Sequence, residues 1–91
     1  MIGKFVIIRG NHSGVHTGIL KDFQGTQATL TGHRRIWSWS GANTLNEIAI
    51  GGCGDESRIS MAIPIITVTD VLEVIPCSPV AQANLENSRW H

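Results

Sequence analysis

Alternating apolar and polar positions mark the first part of the chain as β-strands separated by glycine-containing turns. Residues 4–9 are a β-branched run that ends at Gly10 and Asn11, and residues 18–23 continue as a second strand. Residues 26–39 are long enough for a third strand with a bulge at Gly32. Three strands joined by short turns are typical of a meander or a small, strongly bent barrel.

The middle of the chain begins with a helical signal. Thr44 and Glu47 are spaced as in a capping box, in which each side chain accepts a backbone N–H at the start of a helix. We expect this helix to run to about Ala49 and the glycine-rich residues 51–54 to form a flexible loop or lid.

Strand signals return after this loop. Residues 57–63 predict a fourth strand that Pro64 stops, residues 65–76 supply further β structure, and Ser78-Pro79 predicts a C-terminal helix over residues 80–87. The sequence therefore predicts an α+β fold: a small bent antiparallel β-sheet or barrel with a short central helix and a C-terminal helix. We expect a single small domain, residues 1–91, with a tail from about residue 88.

Length and charge favour self-association and limit the class of partner. A chain of 91 residues buries a smaller fraction of its surface than a larger one, and charged residues make up only 15% of it. Residues 1–40 hold five basic side chains against one acidic, whereas residues 41–91 hold two basic against six acidic. With no overall basic excess, a duplex nucleic-acid binder is disfavoured, and a homo-oligomer with one anion-attracting face is expected.

The cysteine and hydropathy patterns predict a protein of a reducing compartment. Cys53 and Cys77 are too few for a zinc site and match no metal spacing, so we expect free thiols in the cytoplasm. No apolar run is long enough to cross a bilayer, and the N-terminal residues 1–10 are interpreted as a first strand rather than a secretory leader.

The third strand carries the most distinctive side chains. Strand alternation assigns Ala28, Leu30, Arg34, Ile36 and Ser38 to one face and His33, Arg35, Trp37 and Trp39 to the other. The second face is suited to a planar anion, because indoles stack on bases and guanidinium groups grip phosphate. The alternative is that the tryptophans fill a core or a subunit interface, where Trp and Arg are also enriched.

The start of the predicted helix is a second candidate for anion binding. Its first N–H groups point back toward Gly41 and Ala42, and Asn43 is placed to read a base edge or a ribose hydroxyl. In the alternative interpretation, Thr44 and Glu47 only cap the helix. Arg58, inside the fourth strand, needs a partner, for which Glu47, Glu73 and a bound phosphate are the candidates.

The histidines of the first turn are the remaining candidates. His12 and His16 stand four apart, but in a glycine-containing turn rather than a helix, which favours contact with a ligand or solvent over metal binding. No Ser-His-Asp order, carboxylate pair or phosphate-cradling loop is present, so a non-enzymatic protein without cofactor or metal is expected. An enzymatic alternative would use His12, His16 or Cys53 as base or nucleophile.

The block R-R-I-W-S-W-S-G-A-N-T-L-N-E-I-A, followed by S-R-I-S-M-A-I-P and I-P-C-S-P, resembles an uncharacterised family of small phage and prophage proteins. The resemblance implies a viral origin and action in an infected bacterial cytoplasm. By analogy with phage proteins that sequester immune signals, it favours an oligomeric binder of a small nucleotide. The rhythm of residues 6–30 is also similar to SH3-like and Sm-like barrels, which supports an alternative module that binds single-stranded nucleic acid or a host protein.

The expected ligand is a cyclic oligonucleotide or a cyclic ADP-ribose type of signal, with nucleic acid the less favoured partner and no membrane. The predicted ligand-binding residues are Arg34, Arg35, Trp37, Trp39, Ala42, Asn43, Thr44, Glu47, Arg58, His12 and His16.

Overall fold

The computed structural model describes residues 1–91 and confirms the predicted α+β class, with six antiparallel strands in a sheet that does not close. In chain order the elements are β1 (Phe5–Gly10), β2 (Val15–Gln24), β3 (Gln27–Ser38), α1 (Leu45–Gly51), β4 (Arg58–Ile59), β5 (Ile63–Val68), β6 (Val71–Pro76) and α2 (Pro79–Asn87).

The long strand β3 organises the sheet. The strand order is β4-β3-β2-β1-β6, and β5 pairs with the same edge of β3 as β4 does. This is possible because β3 has 12 residues, so that β5 pairs with its first half and β4 with its end. Between β5 and β6 the sheet stays open.

A bulge at Gly32 bends β3, as the sequence predicted. Thr17 pairs with Arg34 but Ile19 pairs with Thr31, so β3 contains one more residue than β2 in this interval. Gly32 takes a φ of 60°, which favours glycine. Opposite it, a Cβ on Gly18 would lie 2.8 Å from the Thr31 carbonyl oxygen.

The sheet is buried on both faces along β1. Phe5 and Ile7 pack on one side against Ile48 of α1 and Leu85 of α2. Val6 and Ile8 pack on the other side with residues that include Leu20, Leu30 and Val68. Successive residues of a strand point to opposite faces, and an unbroken apolar run is therefore what a doubly covered strand requires.

The two caps of α1 fix both of its ends. The Thr44 hydroxyl accepts the Glu47 N–H at 3.4 Å, while the Glu47 carboxylate accepts the Asn43 N–H, one residue before the predicted partner. The helix ends at Gly51, two residues beyond the expected end, and Gly52 follows with a φ of 81°.

The glycine-rich loop after α1 is clamped, which corrects the expectation of a flexible lid. The side-chain amide of Asn84 in α2 accepts the Cys53 N–H at 3.0 Å and donates to the Cys53 carbonyl at 3.1 Å. A Cβ on Gly52 would collide with the same Asn84 side chain, so only glycine fits there.

The predicted fourth strand is wrong in extent. Only Arg58–Ile59 forms β4, and Pro64, expected to end a strand, lies inside β5. Proline is tolerated because β5 pairs with β3 alone and keeps a free edge. Asp70 lies between β5 and β6, and the final residues return to the sheet, since Trp90 bridges to Ile59.

Arg34 ties the sheet to the end of α2. Its side chain is 6% exposed and donates to the Ser60 carbonyl at 2.8 Å, the Leu85 carbonyl at 2.7 Å and the Glu86 carbonyl at 3.3 Å. The guanidinium therefore satisfies carbonyls at the C-terminus of α2, where positive charge is also favourable. This corrects the predicted phosphate-binding role of Arg34.

We expect Arg34→Met to lower the free energy of unfolding by about 3 kcal/mol, because buried carbonyls lose a charged donor. Arg35→Met, at the neighbouring exposed position, is the matched control and should change it by less than about 0.5 kcal/mol. Urea unfolding of both variants measures the difference, and equal losses would contradict the assigned role of Arg34.

Candidate functional site

The structure has three surface cavities, and predicted ligand-binding residues line only two of them. One of about 520 Å³ lies between residues 53–57 and the end of α2, and it contains none of the predicted ligand-binding residues. A second of about 390 Å³ lies beside Trp39 and is called the Trp39 cavity. A third of about 320 Å³ lies between the β1–β2 turn and β5 and is called the Arg35 cavity.

The aromatic and basic groups of residues 35–39 do not converge on one cavity. Arg35 lines one cavity and Trp39 lines another. Trp37 lines neither; it is 53% exposed and the Arg58 guanidinium lies 5.5 Å from the centre of its ring. The structure therefore separates a group of residues that strand alternation placed together.

The Trp39 cavity combines an aromatic wall with a charged rim. Trp39 is 36% exposed, and Val15 and Leu45 supply the other apolar groups. Arg9 and Glu73 face each other across β1 and β6 in an ion pair of 3.5 Å. Thr44 and Asn46, at the start of α1, complete the lining.

The remaining predicted residues near α1 have structural partners. Ala42 packs against the core beneath the helices, and the backbone N–H of Asn43 donates to Glu47. The Glu47 carboxylate thus occupies the place where an anion was expected, which disfavours anion binding at this short helix. For Arg58, the partners expected in Glu47 and Glu73 are wrong, since its contact is the Trp37 ring.

A chain of hydrogen bonds runs from the rim of the Arg35 cavity into the interior. Asp70 accepts the backbone N–H groups of His12 and Ser13 at 2.7 and 2.8 Å and the Ser13 hydroxyl at 2.7 Å. Ser13 Oγ lies 2.8 Å from His16 Nε2, and His16 Nδ1 lies 2.8 Å from His33 Nε2. His33 Nδ1 is buried without a partner.

Only one arrangement of protons satisfies this chain. Three hydrogen-bond donors to the Asp70 carboxylate hold its pKa far below the usual range, so it is ionised and accepts only. Ser13 has a single proton, which it donates to Asp70, and His16 must therefore donate from Nε2. His16 Nδ1 then accepts from His33 Nε2, and His33 Nδ1 keeps a bare lone pair.

This direction of donation bears on the enzymatic alternative. A base that activates a serine must accept the hydroxyl proton, whereas His16 Nε2 already carries one. The thiols are no better placed: Cys53 is buried beneath the Asn84 clamp, and burial raises the pKa of Cys77 to about 11. Ser13, Cys53 and Cys77 are therefore not arranged as activated nucleophiles.

Burial keeps the two histidines neutral. Desolvation is the largest cause, and together with repulsion from a protonated His16 and from Arg35 it lowers the pKa of His33 to about 4. Desolvation and Arg35 also lower the pKa of His16, against an opposing effect of Asp70. The predicted ligand residue His16 is only 1% exposed. His12, in contrast, is exposed on the turn and lies close to Asn11.

Sequence reasoning missed Ser13, His33 and Asp70 as members of one network. Asp70 lies within residues 65–76, which the sequence predicts only as further β structure, and its partners lie 57 and 58 residues away in the chain. The network packs closely against Gly10, where a Cβ would collide with the Ser13 hydroxyl and approach the Asp70 carboxylate.

No three side chains of His, Cys, Asp or Glu gather closely enough to hold a metal ion. Neither helix has the length and apolar character needed to cross a membrane.

Comparison with known proteins gives a family but no function. The model of a family described as a domain of unknown function (DUF6948) matches residues 3–85. No curated protein and no solved structure matches the chain.

The free energy of unfolding should fall as the pH is lowered from about 6.5 toward 4. The folded-state pKa of His33 lies below its ordinary value of 6.5, so the unfolded chain binds the proton more readily throughout this interval. The contribution of Asp70 is lost only below its ordinary value of 3.8 and does not interfere. Urea unfolding at several pH values measures the slope.

His33→Gln should flatten this pH dependence, whereas His12→Gln, on the exposed turn, should leave it unchanged. An equally steep slope in His33→Gln would show that the buried pair is not its source.

Proposed function

The chain belongs to the DUF6948 family, whose function is unknown, and we propose that it binds a small nucleotide without transforming it. The observation that carries the proposal is the Trp39 cavity, in which an accessible indole faces a rim of paired charges. As an oligomer, the protein would sequester an immune signal of the cyclic oligonucleotide or cyclic ADP-ribose type.

The apolar part of the Trp39 cavity suits a nucleobase. Trp39 is accessible enough to stack a planar ring, and Val15 and Leu45 supply apolar surface beside it. Stacking of a base on an aromatic side chain contributes about 1–3 kcal/mol. Thr44 and Asn46 offer polar groups for the base edge or the ribose.

The charged rim suits a phosphate. Arg9 is held only by Glu73, at 3.5 Å, and both side chains are at least half exposed. Such a surface ion pair contributes little stability, so the guanidinium is free to exchange its partner for a phosphate that it grips with two donors. Lysine at this position would supply charge without that geometry.

Two further observations support the proposal, one against turnover of the ligand and one for a viral origin. The His16–Ser13 contact is directed away from activating the hydroxyl. The resemblance of residues 34–49 to small phage and prophage proteins supports a viral origin, and with it action in an infected bacterial cytoplasm.

The exposed surface around Trp37 and Arg58 favours a second candidate function, a module that binds single-stranded nucleic acid. Trp37 is 53% exposed and contacts Arg58, while Arg35 lies two residues away on the same strand. Neither guanidinium has an acidic partner. This candidate requires binding that weakens steeply with salt, since each neutralised phosphate releases counterions.

Trp39→Ala should weaken binding of the nucleotide by about 5- to 150-fold, the equivalent of one stacked base. Trp37→Ala, the more exposed indole outside the cavity, is the matched control and should bind normally. Calorimetry against cyclic dinucleotides, cyclic trinucleotides and cyclic ADP-ribose isomers makes the measurement. Absence of heat with every member would overturn the proposal, and loss confined to Trp37→Ala would favour the second candidate.

The proposed oligomer should depend on the free edge of β5. This strand exposes Ile63 and Ile65 and pairs only with β3, so a second copy can cover the isoleucines and pair with the open edge. We expect Ile65→Lys to reduce the native mass to that of one chain, whereas Val80→Lys, on the exposed side of α2, should not. Native mass spectrometry tests this, and a wild-type protein of single-chain mass would contradict it.

A further inference from the structure

We infer that the Arg35 cavity is a second ligand site, which binds a small oxyanion and takes up a proton when it does so. The inference is independent of the proposed nucleotide site. Val15 lines the Trp39 cavity and His16 lines the Arg35 cavity. Because these residues are consecutive in β2, the two cavities lie on opposite faces of the sheet.

The cavity presents a guanidinium that nothing in the fold uses. The Arg34 guanidinium donates hydrogen bonds to three carbonyls, and Arg9 is paired with Glu73. Arg35 lines about 320 Å³ of concave space, and its side chain makes no hydrogen bond or ion pair. A guanidinium in a concavity is the group best suited to bind an oxyanion with two donors.

The only acidic group at the cavity, Asp70, is ionised but is held by hydrogen bonds within the turn. Asp70 accepts three hydrogen bonds, two of them from the backbone of the His12–Ser13 turn, so its charge is directed into the turn. It forms no ion pair with Arg35. The residual negative charge of Asp70 limits the ligand to a small ion rather than a long polyanion.

The hydrogen-bond chain supplies the site for the proton. His33 Nδ1 is the one imidazole nitrogen of the chain that is free, and it is buried without a partner. A proton bound there leaves each donor of the chain in its present direction, from His33 through His16 and Ser13 to Asp70. No existing hydrogen bond is broken by this protonation.

The charges around the histidine pair determine when that proton binds. At His33, a charge on His16 and the charge of Arg35 from β3 oppose it, whereas Asp70 from the β5–β6 turn favours a positive charge on the neighbouring His16. His12, on the β1–β2 turn, is the other titratable side chain at the cavity. Strand β5, which walls the cavity, contributes no titratable side chain. An oxyanion on Arg35 cancels the opposing charge, so the anion and the proton each strengthen binding of the other.

Calorimetry with inorganic sulfate on the whole protein tests the inference, because sulfate keeps its charge across the pH range used. We expect binding to tighten by about threefold between pH 7.5 and pH 4.5, the effect of a one-unit rise in a pKa that starts at about 4, with a heat that depends on the buffer as protons are taken up. No binding, or binding of equal strength at both pH values, would overturn the inference.

Matched variants separate the anion from the proton. Arg35→Gln should abolish sulfate binding, and Arg58→Gln, an exposed arginine outside the cavity, should not. His33→Gln should keep the binding at pH 7.5 and lose its pH dependence, while His91→Gln, at an exposed histidine outside the cavity, should retain both. Normal binding by Arg35→Gln, or loss of the pH dependence in His91→Gln instead of His33→Gln, would refute the assignment.

Discussion

The carboxylate of Asp70 joins two turns that are far apart in the chain, and this contact stabilises the open sheet. It binds the backbone of the β1–β2 turn from its position between β5 and β6. An open sheet of six strands has no continuous ladder to hold its ends together. Here an ionised side chain that accepts from three donors helps to do so, together with backbone hydrogen bonds from Asn11 to Asp70 and from Val71 to Thr26, and it also forms one wall of the Arg35 cavity.

The elements of the fold were predictable because their signals are local. Thr44 and Ser78 stand at helix starts where only capping residues serve, and Gly32 marks the bulge that bends β3. The short extent of β4 and the placement of Pro64 inside strand β5 were not predictable. Both depend on β5 sharing an edge of β3 with β4, a tertiary arrangement that no local pattern records.

The candidate site was only partly accessible to sequence reasoning. Alternation correctly separated Arg34 from Arg35, but it could not tell that α2 would end over Arg34. It also could not tell that Trp39 would leave the strand, since β3 ends at Ser38. A cavity is a product of several segments, and a strand pattern reports only the direction in which each side chain leaves its own segment.

The fixed order of donors from His33 to Asp70 has an electrical consequence. If every donor of this hydrogen-bond chain were reversed, the ionised Asp70 carboxylate would face a lone pair of the Ser13 hydroxyl oxygen. The dipoles of two imidazoles and one hydroxyl therefore stay aligned. Aligned dipoles polarise one another and sum to a small permanent field across the sheet. The positive end of each points at Asp70, and the interior of this protein of zero net charge therefore has a built-in polarity.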